Sequence, residues 1–297
     1  MDAQRGAPAK VNLFLHVGPL GADGYHPLCS LVTFADVGDV LRLRQAPAMG
    51  FEIEGPFGAE LEPGAENLVV RARDAALAGH PGPPPFQLVL DKRLPIAAGL
   101  GGGSADAAAT LRLIGEALGW RAGGGEAGLM RIAAGLGADV PMCLAGRPTV
   151  AEGRGDILWP APAFPELDAV LVNPLRPSPT GAVYRAYDVA GAPGRSAAPD
   201  WPASLATARA VAGFLADCRN DLEAPAIALQ PAIAEVLTAL RAAPETLIAR
   251  MSGSGATCFA LCVDPAAARR LGSNIAAAHP GWWVQRCRLA GCEPGPD

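Results

Sequence analysis

The stretch Phe86-Gln-Leu-Val-Leu-Asp91-Lys92-Arg-Leu-Pro95-Ile96-Ala97-Ala98-Gly99-Leu100-Gly101-Gly102-Gly103-Ser104-Ala105 decides how this chain is read. Residues 86–90 form a short apolar, β-prone run, and residues 105–118 are alanine-rich with helical spacing. Between them lies a segment in which glycines remove side chains, so that successive backbone N–H groups can converge on a ligand without Cβ clashes. Ser104 is expected to open the helix, whose free N–H groups and dipole favour negative charge at the same spot. A polyphosphate suits both features, although a flexible turn capped by Ser104 accounts for them as well. Two familiar phosphate motifs fit poorly. The P-loop needs Gly-Lys-Ser/Thr at the helix start, and no lysine follows Lys92. A dinucleotide fingerprint needs a third glycine where Ser104 stands, and no acidic residue closes a second strand about 20 residues on.

Outward from the loop, residues 11–17, 31–35, 41–44 and 51–54 read as strands, and Asn67 as the N-cap of a helix over 68–77. A second helix, about 128–136, runs into Gly137-Ala-Asp139-Val-Pro141, whose glycine and proline place Asp139 on a rigid corner. From 160 to 202 proline and glycine are frequent. This stretch reads as an interdomain crossing with a mobile loop at 191–203, and the domain boundary is expected near 160, giving domains 1–160 and 161–297. The remainder alternates: helix 232–242, strand 247–251, turn 252–255, strand 257–263, helix 265–278, strand 282–289. The fold class is mixed α/β, with an α+β sandwich in the second half.

With 297 residues, half of them hydrophobic and 18% charged, the chain can bury two domain cores. A net charge of −5 without a basic run offers no footprint for nucleic acid or anionic lipid. The seven cysteines form no CxxC pair and read as reduced core thiols. There is no signal-peptide pattern and no apolar stretch of the ~20 residues a bilayer requires. The expectation is a cytoplasmic protein without nucleic-acid or membrane partners. Only two of the 24 basic side chains are lysine. Lys10 therefore hints at a site wanting a compact ammonium, whereas Lys92 reads as a solvated surface residue. His16 reads as a core residue and His80 as an exposed turn.

Five motifs occur in an order that resembles the GHMP kinases: Pro8-Ala9-Lys10-Val11-Asn12-Leu13, Asp23-Gly24-Tyr25-His26, the long glycine loop, Gly137-Ala138-Asp139-Val140-Pro141 and Gly253-Ser254-Gly255. They span almost the whole chain. The resemblance implies a two-domain fold, with an N-terminal domain like ribosomal protein S5 domain 2, a ferredoxin-like C-terminal domain, and ATP in the cleft. It further implies transfer of phosphate from ATP, with Mg2+, to the 2-hydroxyl of a cytidine-diphosphate-linked methylerythritol in the non-mevalonate isoprenoid pathway, by a monomer or weak homodimer. By the family's pattern Lys10 and Asp139 are the catalytic pair, and residues from Pro95 to Ala105 with Gly253, Ser254 and Gly255 hold the nucleotide. Asn12, Tyr25, His26, Thr180 and Tyr184 match positions that meet the cytidylyl substrate, where tyrosines could stack on the pyrimidine and His26 could bond its edge. No carboxylate cluster marks metal ligands. Ala105 and Ala97-Ala98 depart from the serine and glycine often found in relatives. Two other readings stay open: a GHMP kinase for homoserine, mevalonate or a sugar, and a non-catalytic nucleotide sensor on the same fold.

Overall fold

The computed structural model describes residues 2–78, 84–119, 125–191 and 194–291; His80 and Cys292 lie outside them. Two compact units are assembled from interleaved segments, residues 1–9, 38–96 and 101–146 in the first, and 10–37, 97–100 and 147 onward in the second. Strands β1 (Ala3–Val17) and β2 (Leu28–Gln45) each run through both units. The separate short strands expected at 31–35 and 41–44 are one continuous strand, which passes Asp36-Val-Gly-Asp39 because Gly38 lies against the neighbouring backbone, where a Cβ would come within 2.2 Å of the Ala7 carbonyl oxygen.

In the first unit, β2 continues into a sheet with β3 (Gly50–Glu54) and β4 (Phe86–Asp91). Strand β4 pairs antiparallel to β2, with Leu90 opposite Leu41, and parallel to β3, with Leu90 opposite Ile53. Helix α1 (Leu68–Leu77) begins where expected, because the Asn67 side chain accepts from the Val69 N–H at 3.0 Å. Helix α2 (Gly102–Ala117) begins two residues before Ser104, since Gly101, at φ +62°, takes the N-cap position. It is buried on all sides from Ala105 to Leu111, where the small Ala105, Ala107, Ala108 and Ala109 side chains let neighbouring elements approach closely. Helix α3 (Gly125–Leu136) leads to the short α4 (Val140–Ala145), with Asp139 at its N-cap and Pro141 in its first turn.

The second unit carries β5 (Thr149–Gly153), paired with β2, and β6 (Ile157–Pro160) beside it. Its larger sheet runs β10-β7-β9-β8, formed by β7 (Leu167–Asn173), β8 (Thr246–Met251), β9 (Cys258–Cys262) and β10 (Trp283–Leu289). The helices are α5 (Thr180–Ala190), α6 (Ala208–Ala216), α7 (Glu223–Leu229), α8 (Ala232–Ala242) and α9 (Pro265–Ala278). Ile233, Val236, Leu237 and Leu240, spaced by three and four, seat α8 on the sheet face that carries Cys258, Ala260 and Cys262. Each such side chain contributes about 1.5–3 kcal/mol of burial. The expected crossing at 160–202 instead contains β7 and α5, whose signals were masked by flanking prolines. Residues 194–203 are also tied down. The Gly194 N–H donates to Tyr187 Oη at 2.7 Å, His16 Nδ1 meets the Ala197 carbonyl at 2.9 Å, and the Trp201 ring lies against Phe214.

Candidate functional site

In the second unit, Lys10 and Asn12 stand two residues apart on β1 and therefore share a face. Lys10, 6% exposed, donates from Nζ to Asn12 Oδ1 at 2.9 Å. Asn12 Nδ2 donates to Ser30 Oγ at 2.7 Å, and the Asn12 N–H donates to Ser252 Oγ at 3.1 Å. Ser252 Oγ in turn donates to the Gly99 carbonyl at 3.1 Å, and the Lys10 N–H donates to the Leu100 carbonyl at 2.8 Å. One hydrogen-bonded chain thus joins Lys10, Asn12, Gly99 and Leu100 of the glycine loop and the turn that begins at Ser252.

That contact is tight. Gly99 sits at φ +73°, and a Cβ there would come within 2.4 Å of the Ser252 carbonyl oxygen and 2.8 Å of Gly255 N. Gly253 is at φ +57°, with Gly99 O 3.1 Å and Asn12 Oδ1 3.3 Å from where its Cβ would be. Asn220 Nδ2 holds the turn by donating to the Met251 and Gly253 carbonyls, both at 2.8 Å. Ser254 Oγ lies 2.8 Å from Thr180 Oγ1, and the Ser254 carbonyl accepts from Ser178 Oγ at 2.8 Å. Ala97 also adopts a positive φ, +49°.

The aromatic residues occupy the same unit. The His26 ring centroid is 5.2 Å from that of Tyr184 and 5.6 Å from that of Tyr187. Both His26 nitrogens already face oxygen acceptors, Nδ1 the Gly18 carbonyl at 2.9 Å and Nε2 the Asp188 carboxylate at 3.2 Å. The ring is thus engaged on both nitrogens and packed against both tyrosines, with 9% of the residue exposed. Tyr25 is 55% exposed, with the Arg154 guanidinium 4.2 Å from its ring centroid, and the Asp23 carboxylate is 2.8 Å from Arg154.

The first unit holds Asp139, half-buried at the head of α4, and Gly101, Gly102, Gly103, Ser104 and Ala105 at the head of α2. It also overturns the reading of Lys92. That side chain is 3% exposed and lies between two carboxylates, with Nζ 2.5 Å from Asp39 Oδ2 and 2.8 Å from Asp106 Oδ2. Burial pushes Asp106 up to about 7; Lys92 pulls it down, and Asp39 adds to the rise. For Lys92, burial lowers the pKa, but the charges of Asp106 and Asp39 more than offset this and leave it raised. The lysine bias singled out Lys92, but a charged residue between Asp91 and Arg93 looks like solvated surface until the fold supplies Asp39 from β2.

The cysteines among the described residues are buried, as expected of core thiols. Burial raises Cys29 and Cys218 to about 11 and Cys262 to about 12, which makes them poor nucleophiles at neutral pH. Among the described residues no group of three or more His, Cys, Asp or Glu side chains is arranged to hold a metal ion, and no helix is long and apolar enough to cross a membrane.

Residues 67–147 match the family profile described as GHMP kinases N terminal domain, and residues 205–281 match GHMP kinases C terminal. The chain belongs to the GHMP kinases, ATP-dependent phosphotransferases with a two-domain mixed α and β fold. Within the family, the chain is 58% identical over 287 residues to 4-diphosphocytidyl-2-C-methyl-D-erythritol kinase of Caulobacter sp. (strain K31), covering 96% of this chain and 97% of that one. It is 47% identical to the protein of the same name from Paracoccus denitrificans (strain Pd 1222), over 98% of both chains. A crystal structure of 4-(cytidine 5'-diphospho)-2C-methyl-D-erythritol kinase superposes with a TM-score of 0.77 at 35% identity, covering 97% of this chain and 100% of that one. Homoserine kinase from Cytophaga hutchinsonii, at 21% identity and a TM-score of 0.68 over 100% of this chain and 96% of its own, shares the fold.

Proposed function

We propose that this kinase transfers the terminal phosphate of ATP to the 2-hydroxyl of 4-diphosphocytidyl-2-C-methyl-D-erythritol, a step of the non-mevalonate route to isoprenoid precursors. The observation that carries this reading is the 58% identity, over nearly the whole chain, to a kinase named for that substrate. Phosphoryl transfer asks little covalent chemistry of the protein, which must position its reactants, stabilise charge and accept the hydroxyl proton. Asp139 is the base for that proton. Lys10, held by Asn12, supplies a fixed positive charge that favours the alkoxide. The backbone N–H groups of residues 95–105, with Gly253, Ser254 and Gly255, receive the phosphates, and Thr180 fixes Ser254 beside them. Tyr25, His26 and Tyr184 form the aromatic platform for the cytosine, an arrangement with no evident use for a small aliphatic alcohol. Mg2+ would come with the nucleotide, whose phosphate oxygens are hard ligands that suit it. The work is done in the cytoplasm, without nucleic-acid or membrane partners.

The test is mass-spectrometric detection of one added phosphate on that substrate, with wild type beside Asp139→Asn and a panel of other alcohols. A gain on the cytidylyl compound, largely lost in the variant, supports the assignment. Transfer to homoserine, mevalonate or a sugar instead would overturn the substrate, and ATP binding without transfer to any alcohol would leave a nucleotide sensor.

A further inference from the structure

The residues assigned to the reaction leave out the most deeply buried charges of the first unit, the Lys92 ammonium and the Asp39 and Asp106 carboxylates, each no more than 3% exposed. Their connections all lead to the two ends of the glycine loop. Asp39 Oδ1 accepts from the Arg93 and Leu94 N–H groups at 2.6 and 2.8 Å, which fixes the chain just before Pro95. Asp106 lies in the first turns of α2, just after the loop, and its Oδ2 accepts from Lys92 at 2.8 Å. Between them, Lys92 Nζ lies directly beneath Gly102, the first residue of α2, 3.0 Å from where a Cβ would stand.

We infer that Lys92, clamped between Asp39 and Asp106, is a positioning residue for ATP: it sets the entry and exit of the glycine loop and so aims the N–H groups of the first turn of α2. The inference rests on the proposal that this loop receives the nucleotide. Two features point to positioning and away from simple stabilisation. A buried ammonium clamped between two acidic side chains is a poor way to stabilise a core, since well-packed apolar residues do as well or better. Asp106 Oδ1 is also buried without a hydrogen-bond partner, an unsatisfied atom that stability alone would select against. A compact ammonium is required here as well. A guanidinium would need the space beneath Gly102, which explains a lysine in a chain otherwise committed to arginine.

Lys92→Met would strand two carboxylates and could prevent folding, so the decisive variants are at Asp106. Asp106→Ala keeps the neutral Lys92–Asp39 pair while cutting the tie to α2, and Asp106→Asn keeps a side-chain oxygen for Lys92. The expected result is a KM for ATP about 10- to 100-fold higher in Asp106→Ala, in line with the cost of misplacing a reactant by an ångström. The KM for the alcohol stays unchanged, and Asp106→Asn restores the wild-type KM for ATP. A wild-type KM for ATP in Asp106→Ala, or an equal rise for both substrates, overturns the inference and leaves the loop assignment standing. Hydrogen exchange of the wild type with and without ADP separates the two ideas: if residues 95–105 are not slowed by ADP, the loop assignment itself fails and the inference falls with it.

Discussion

Lys10 Nζ donates to Asn12 Oδ1 at 2.9 Å, and the same asparagine is held from its other side by Ser30 and through its backbone by Ser252. The ammonium is therefore aimed by a rigid neighbour. At 6% exposure it has little room to reorient, and a charge fixed in advance costs nothing to organise when the transition state forms.

Lys10→Arg is accordingly expected to fail despite keeping the charge. The larger planar head cannot occupy the same buried position and donate to Asn12 with the same geometry. Steady-state kinetics should show kcat reduced by about 100-fold, the order expected for misplacing a group by an ångström. Circular dichroism and the melting temperature should stay close to wild type. A variant with more than a third of wild-type kcat would show that charge alone suffices.

Gly99→Ala is expected to destabilise the second unit. The residue sits at φ +73°, and its Cβ would meet backbone atoms of Ser252 and Gly255 at 2.4–2.8 Å, which no side-chain rotation relieves. The left-handed conformation and the overpacking each cost about 1–3 kcal/mol, and urea denaturation should show a midpoint lowered correspondingly. Gly103→Ala is the control, since its Cβ would meet only Leu68 Cδ1, at an ordinary 3.6 Å.

Much of this was legible beforehand, and the exceptions share a cause. The Asn67 cap, α8, α9 and the Gly253 turn announce themselves through local spacing and capping chemistry, and they lie where local rules put them. Strand β7 and helix α5 were hidden because prolines and glycines around them obscured their periodicity. Lys10 and Asn12 could be singled out, but Ser252, Asn220, Asp188 and Arg154 reach the same unit from distant parts of the chain and carry no motif of their own. Lys92 is the sharpest case. Its burial depends on Asp39, 53 residues earlier, and on Asp106, 14 residues later, pairings that only tertiary structure creates.

The buried Asp106 also predicts a pH dependence. Its folded pKa is raised to about 7, by burial first, above the ordinary carboxylate value of 3.8. Between those values the folded chain binds more protons than the unfolded chain, so this group's contribution is fully present below 3.8 and is lost as pH rises through about 7. Chemical denaturation at pH 5.5 and 7.5 should show wild type losing stability relative to Asp106→Asn at the higher pH, because the amide does not titrate. Parallel curves for the two proteins would mean that Asp106 is ionised across the whole range.

The last prediction concerns the cytosine platform. His26 is buried with both nitrogens facing acceptors and stands 5.2 Å from the half-buried Tyr184, so Tyr184 is the ring of the pair that a ligand can reach. Stacking on a base is worth about 1–3 kcal/mol, or about 5- to 150-fold in affinity. Tyr184→Phe keeps the surface and should leave the KM for the cytidylyl substrate within about 3-fold of wild type, whereas Tyr184→Ala should raise it into that range without changing the KM for ATP. If Phe is as damaging as Ala, the hydroxyl and not the ring is what the substrate meets, and the platform must be rebuilt around Tyr25, whose exposed ring is covered on one face by Arg154.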